Sequence, residues 1–354
     1  MQRKITRQLS LGQVKIGGGA PISVQSMNNT ETADIASTCR QLVDLAEAGA
    51  EIGRLAVPNA EAAAALPQIK AKSPLPLVAD IHFDYRLALA SIKAGVSGLR
   101  INPGNIGGPD KVRELALAAK AVGIPIRIGV NGGSLDADLL QKHGGVTPDA
   151  LCESALRQAE LLEDNGFFDI KLSLKCSNLL TMIAAYEKIS ELADYPLHIG
   201  VTEAGPLYRG SVKNAIGIGT LLSHGIGDTL RVSLTADPLK EVALAREILL
   251  MLGLYPAGWE IVSCPTCGRT QIDLIKLTEQ VEASLAPLKP KRHIKVAVMG
   301  CAVNGPGEAK DADLGIAGGS GGGLIFCHGE KIDFYQEEDL LARFLRLAEK
   351  ICQE

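Results

Sequence analysis

From Ile22 to Leu234, short apolar runs alternate with longer stretches of helical periodicity, and the alternation repeats eight times. The runs are Ile22–Met27, Ile52–Val57, Leu77–His82, Gly98–Asn102, Ile126–Asn131, Asp169–Lys175, Leu197–Thr202 and Thr229–Leu234. Runs this short and this rich in Ile, Leu and Val predict strands, and each is followed by a predicted helix. Proline and capping residues mark helix starts at Pro109-Asp110, Thr147-Pro148-Asp149 and Asp237-Pro238. Eight βα units predict an α/β fold built on a closed (β/α)8 TIM-type barrel. A doubly wound sheet shares the alternation, but the first turn lacks a G-x-G-x-x-G and eight repeats fit closure better. Ahead of the barrel, Ile5–Ile16 alternates polar and apolar residues and ends in three glycines, which predicts a short hairpin. The pattern changes after Leu252. Residues 253–258 are expected to link the barrel, residues 1–252, to a small α+β domain over residues 259–354.

The interior of such a barrel is ordinarily filled by branched apolar side chains. Here one phase of nearly every strand is polar: Arg54 on the second; Asp80 and His82 on the third; Arg100 and Asn102 on the fourth; Arg127 and Asn131 on the fifth. The sixth offers Lys171, Ser173 and Lys175, the seventh His198 and Thr202, and the eighth Arg231 and Ser233. The other phase, with Leu99, Ile101, Ile126, Ile128, Leu172, Leu174, Val232 and Leu234, is apolar and suited to packing under helices. A lumen with that many cations and few acids is unstable unless an anion fills it. Guanidinium forks match phosphate oxygens, and the loops NPGNIGGPD and NGGSL add free backbone N–H groups at the strands' C-terminal ends. Outward arginines or an ion-pair network at the bottom of the barrel are the plainer alternatives for any one of these cations. The set points to a ligand with more than one phosphate, held by Arg54, Arg100, Asn102, Arg127, Asn131, Lys175, Arg231 and Ser233. Lys171 lies deeper than Lys175 and is left without a role. Glu203, at the end of the seventh strand, is placed to act on a substrate hydroxyl or to transfer a proton, the alternative being a salt bridge to an arginine. Asp80 and His82 read equally as an acid–base pair or as hydrogen-bonded barrel residues.

In the C-terminal part, Cys264 and Cys267 form a C-x-x-C, Cys301 follows an apolar run over residues 294–299, and Glu308 follows a Gly-Pro-Gly turn. Thiolates select zinc or iron–sulfur clusters. Three sulfurs with one oxygen suit a cluster with a single replaceable ligand; a zinc ribbon, which prefers a fourth Cys or His, and inert buried thiols stay open. Cys39, Cys152, Cys176, Cys327 and Cys352 have no partner at ligand spacing and are expected to be small buried hydrophobes. The tract Gly318–Gly323 lacks the Lys-Ser/Thr of a phosphate loop and is expected to be a flexible turn between strands.

Charge and composition narrow the classes. A net charge of -4 with no basic block argues against a nucleic-acid partner. The basic N-terminus has no apolar core, and no run reaches membrane-spanning length, so no membrane partner and a cytoplasmic location are expected. In that compartment cysteines serve as metal ligands more readily than as disulfides.

The stretch CPTCGR followed by GCAVNGPGEA resembles the C-terminal signature of the 4-hydroxy-3-methylbut-2-enyl diphosphate synthase family, reductive enzymes of the methylerythritol phosphate route to isoprenoids. GGGAPISVQSM, RLAVP, ADIHFDYRLAL, LRINPGNIG, RIGVNGGSL, TEAGP and GIGDTLRVSLTADP also resemble family motifs, in the family's order and across nearly the whole chain. The resemblance implies reductive opening of 2-C-methyl-D-erythritol 2,4-cyclodiphosphate, with two electrons entering through a 4Fe-4S cluster from flavodoxin or ferredoxin. It implies cluster ligation by Cys264, Cys267, Cys301 and Glu308, diphosphate contacts from Arg54, Arg100, Arg127 and Lys175, and catalytic roles for Glu203 and Glu308. It also implies a homodimer in which the cluster domain of one chain lies over the barrel of the other. The competing expectation is a phosphate-binding barrel lyase carrying a structural zinc-ribbon interaction domain.

Overall fold

Leu9, Leu11 and Ile16 bury their side chains by pairing β1 (Leu9–Leu11) with β2 (Val14–Ile16) in an antiparallel hairpin. Gly12 makes its turn in the left-handed region, where a side chain would be strained. The hairpin's apolar face packs on Ile52 and Val78, early residues of two barrel strands, and so plugs the strands' N-terminal end. The computed structural model describes residues 2–301 and 311–353, and the chain divides into two units, Met1–Ile248 and Leu249–Glu354.

In the first unit eight strands run parallel: β3 (Ser23–Met27), β4 (Ile52–Ala56), β5 (Leu77–Asp80), β6 (Gly98–Ile101), β7 (Ile126–Asn131), β8 (Ile170–Lys175), β9 (His198–Ile199) and β10 (Thr229–Leu230). Their order is β8-β7-β6-β5-β4-β3-β10-β9, and a parallel bridge between Leu172 and Leu197 brings the two ends together. The barrel expected from the eightfold alternation is present. Its last two strands are shorter than their apolar runs. Beyond Ile199 the chain has Gly200, where a Cβ would lie 2.4 Å from the carbonyl oxygen of Arg231, so the backbones there approach too closely for an ordinary ladder.

Helices return the chain between strands, and their starts follow the sequence signals. Asp34, Asn59, Asp84, Thr147 and Asn178 each accept a hydrogen bond from a backbone N–H in the first turn of the helix that follows. Pro109 and Pro148 occupy first helical positions, as expected, and Pro238 opens the last barrel helix, Pro238–Met251. The apolar strand phase is buried beneath these helices, with Leu99, Ile101, Ile126, Ile128, Leu172, Leu174 and Val232 in the core.

The second unit is a five-stranded mixed sheet in the order β11 (Gly258–Ser263), β12 (His293–Met299), β13 (Leu314–Gly319), β14 (Gly322–Cys327) and β15 (Glu330–Gln336). The first three are parallel, the last two antiparallel. The helices Leu274–Leu285 and Glu337–Gln353 cover one face, burying Val281, Val296, Ile316 and Phe344 in a common core. This is the expected α+β arrangement. The glycine tract differs from expectation: only Ser320 and Gly321 form the turn, and the remaining glycines belong to β13 and β14. A Cβ at Gly322 would lie 2.0 Å from the Tyr335 carbonyl oxygen and one at Gly318 2.6 Å from Ile272, so the tract serves close packing. Among the described residues no helix is long and apolar enough to cross a membrane.

Candidate active site

The register of neighbouring strands sets the site. Asp80 lies opposite Arg100, Arg100 opposite Arg127, and Arg127 opposite Lys171, so one step around the sheet carries each polar side chain to the next. Asp80 is the anchor. Its carboxylate is 3.2 Å from an Arg54 Nη and 3.3 Å from an Arg100 Nη, and all three residues are at least nine-tenths buried. Arg100 also donates to the Gly129 carbonyl at 3.2 Å and lies 3.0 Å from His82 Nδ1. A Cβ at Gly129 would be 2.6 Å from Arg100 Nε, so this glycine makes room for the guanidinium. Asn102 accepts the Gly129 N–H through Oδ1 at 3.2 Å, which leaves its amide nitrogen for other partners. Asp80 is therefore an ion-pair hub, and His82 Nε2 lies 3.8 Å from its carboxylate.

Around the rest of the lumen, Arg231 pairs with Glu241 at 3.2 Å, and Ser233 donates to the Val201 carbonyl at 2.6 Å. Lys175 and Asn131 end their strands partly exposed, and Lys175 Nζ lies beside Gly200. Among the described residues Arg127 has no ion pair, and its Nε, like Lys171 Nζ, has no hydrogen-bond partner. His198 is fully buried with Nδ1 2.5 Å from Thr229 Oγ1.

Electrostatics follow from this crowding. Burial pushes Arg54 down to about 10 against the pull of Asp80, and pushes Arg127 well below its ordinary value, with Arg54 and Arg100 adding to the effect. Lys175 is driven well down by burial and then by Arg127, Arg231 and Arg54, and Lys171 is pushed to about 7 by burial and Arg127. Burial alone would raise Asp80, but Arg54, Arg100 and Arg127 together hold it below the usual carboxylate value. His198 stays neutral, since burial and the surrounding cations both oppose its charge. Three carboxylates, Asp80, Glu241 and the more distant Asp228, face six Arg and Lys side chains, and the shortfall in negative charge is the main property of the chamber.

Glu203 is exposed and sits at φ 52, a left-handed conformation uncommon for a non-glycine residue and typical of functional loops. Its carbonyl accepts from Lys213 at 3.2 Å. Arg54, Arg100 and Arg231 have other carboxylate partners, so the salt-bridge alternative for Glu203 finds no support from them.

Two contributors escaped the pattern reading. Glu241 enters from the first turn of the last barrel helix, where the run Asp237-Pro-Leu-Lys-Glu241 was a helix-start signal that also carried a carboxylate toward strand eight. Gln25 lies on β3, for which no lumen residue was expected; it is buried, with neither amide atom hydrogen-bonded. The polar residues Ser23 and Gln25 on either side of Val24 were the available signal.

In the second unit, Cys264 follows β11 and Cys301 follows β12; these strands are parallel neighbours with Ser263 opposite Val298, so both cysteines leave the sheet at one end. Gly300 N–H donates to Cys264 Sγ at 3.2 Å. Cys267 sits in a tight turn in which its N–H reaches Thr270 Oγ1 at 3.2 Å and Thr270 N–H reaches its carbonyl at 3.0 Å. The Arg269 N–H and then its guanidinium hold the Cys267 thiol below its ordinary value, and the Arg269 charge is favoured by Cys267, Cys301 and Cys264 alike. Among the described residues no three His, Cys, Asp or Glu side chains are close enough to hold a metal ion as they stand, and Glu308 lies outside the described residues. Of the other cysteines, Cys152 and Cys176 are buried as expected, whereas Cys39, Cys327 and Cys352 are partly exposed at the edges of their helices and strand.

Two solved structures resemble the fold over about seven-tenths of this chain. A sialic acid synthetase from Leptospira borgpetersenii superposes with a TM-score of 0.51 at 15% identity, covering 71% of this chain and 92% of its own. A Yersinia pestis dihydropteroate synthase gives 0.51 at 14%, covering 70% and 97%. Full-length relatives are far more similar. The protein named 4-hydroxy-3-methylbut-2-en-1-yl diphosphate synthase (flavodoxin) from Maridesulfovibrio salexigens is 58% identical over 100% of this chain and 99% of its own. Its namesake from Clostridium perfringens is 55% identical over 99% and 100%. Residues 6–246 match the GcpE TIM-barrel domain and residues 260–350 the GcpE protein C-terminal domain, and with both parts matched in order the chain belongs to the GcpE family.

Proposed function

We propose that the protein reductively opens and dehydrates 2-C-methyl-D-erythritol 2,4-cyclodiphosphate to (E)-4-hydroxy-3-methylbut-2-enyl diphosphate, a cytoplasmic step of isoprenoid biosynthesis. The observation that carries this reading is the anion-hungry lumen, together with full-length relatives whose name specifies that product and flavodoxin. The diphosphate spans Arg54, Arg100, Arg127 and Lys175, with Asn102, Asn131, Arg231 and Ser233 around it. Its negative charge favours the ammonium form that crowding disfavours at Lys175 and offsets the repulsion on the Arg127 guanidinium. Loss of a hydroxyl as water requires a proton, and Glu203, exposed in a constrained loop beyond β9, is the donor.

The donor chemistry of the second unit fits an iron–sulfur group: three thiols at one end of the sheet, an N–H aimed at Cys264 Sγ, and Arg269 favouring thiolates. Cys264, Cys267, Cys301 and Glu308 would hold a 4Fe-4S cluster, which would supply two electrons received from flavodoxin. Anaerobically purified protein is expected to be brown, to contain iron and sulfide, and to turn over the cyclodiphosphate with reduced flavodoxin. A colourless zinc protein without turnover would favour the zinc-ribbon reading instead. In the same assay Glu203→Gln is expected to keep its iron and its substrate affinity while losing most of its turnover; normal turnover removes Glu203 from the chemistry.

The homodimer belongs to the same proposal. The last barrel helix runs back from the strands' C-terminal ends and finishes at Met251, and six residues from Gly253 to Gly258 reach only about 20 Å. Supplying the cluster from a second chain removes the need for a longer reach. Mixing a Cys301→Ser subunit with an Arg127→Ala subunit, each inactive alone, is expected to give about a quarter of full activity after exchange. No rescue despite proven exchange excludes the shared site.

A further inference from the structure

Beneath the arginines lies a buried polar floor with no part in the reading above. Lys171 is 2% exposed, neighbours Arg127 across the β7–β8 register, and has no hydrogen-bond partner for Nζ. Gln25 is 2% exposed with both amide atoms unpartnered, and Arg127 Nε is unpartnered as well. These three side chains line one small cavity, walled otherwise by Leu11 of the hairpin, Val78, Leu99 and Pro125, with just enough room for one water. Unpaired buried polar groups around a water-sized space are the usual setting of a structural water.

The charges facing Lys171 come from four elements. Arg127 on β7 and Arg54 on β4 oppose its ammonium form; Asp228, just before β10, favours it. His198 on β9 is neutral. Asp228 is already engaged by Arg3 and by the Leu197 N–H, so it offers Lys171 only a distant field. An anion above the floor neutralises Arg54 and Arg127, which removes the two repulsions and leaves the one attraction.

We propose that Lys171 is a positioning residue for the diphosphate: it takes up a solvent proton as the anion seats and, through a water shared with Gln25 and Arg127 Nε, holds the Arg127 guanidinium toward it. The inference rests on the anion-site reading. No bond breaks in the step; a proton moves from buffer to the Nζ lone pair. Burial and Arg127 set the amine at about 7 in the empty barrel, and the anion raises it. The affinity it adds is therefore complete below that value and is lost as pH rises through the higher value of the complex.

The test is calorimetry of the oxidised holoenzyme with the cyclodiphosphate at about pH 7.5, in buffers of different ionisation enthalpy. Wild type is expected to take up protons on binding, and Lys171→Met to take up roughly 0.8 fewer, the fraction of an amine titrating near 7 that is neutral at that pH. Lys171→Met should also flatten the fall of affinity above neutrality; a merely structural role would weaken binding equally at all pH values. If Lys171→Met does not fold, Lys171→Gln carries the same readout. Binding with unchanged proton uptake overturns this inference alone, and so does binding by wild type with no uptake at all. Absence of binding by wild type overturns the anion-site reading and this inference with it.

Discussion

Serine at Cys264, Cys267 or Cys301 is expected to strip the protein of iron and abolish reductase activity while the barrel stays folded and still binds the cyclodiphosphate. A serine hydroxyl is too weak an acid to serve as an alkoxide ligand near neutrality, so the swap removes a ligand while conserving shape. The structural cost is small. Cys267 is exposed and Cys264 partly so; Cys301, 8% exposed, loses modest packing at the end of β12. The core of the second unit is built on Val281, Val296, Ile316 and Phe344, with Cys264 packed only at its edge, and the barrel has its own core. Iron and sulfide analysis, thermal unfolding and calorimetric binding read the three quantities separately. Full iron content in any of the three variants removes that cysteine from the ligand set.

Arg100→Ala and Arg127→Ala are each expected to weaken cyclodiphosphate binding by about 2–4 kcal/mol, roughly 30- to 1,000-fold, the scale for losing one partner of a buried charged hydrogen bond. Their effects on stability should have opposite signs. Arg100 is tied to Asp80 and to the Gly129 carbonyl, so its loss leaves Asp80 with one arginine fewer and lowers the melting temperature of the free protein. Arg127 has no ion pair among the described residues and is opposed by Arg54 and Arg100, so its loss relieves repulsion and raises that temperature. Unchanged affinity in both variants returns these residues to an ion-pair role; a destabilised Arg127→Ala contradicts the account of charge shortfall in the chamber.

Local periodicity carried most of the fold. Eight apolar runs with one polar phase need no partner to be recognised, because the alternation of side chains across a strand is set by the backbone itself. The same holds for the helix starts at Thr147 and Pro109 and for the C-x-x-C at Cys264, whose chemistry is written in three or four consecutive residues. Which cations share which acid is a different kind of fact. That Asp80 holds both Arg54 and Arg100, that Glu241 reaches Arg231, and that Lys171 and Gln25 meet beneath Arg127 all depend on register and closure between residues distant in the chain. The shortness of β9 and β10 has the same origin, since the contact between Gly200 and the Arg231 carbonyl exists only once these two strands pair. Composition along a chain encodes direction and spacing over a few residues, whereas burial and pairing are properties of space. The polar phase therefore announced a charged lumen, and closing the barrel left its anion deficit concentrated at Arg127, Lys175 and Lys171.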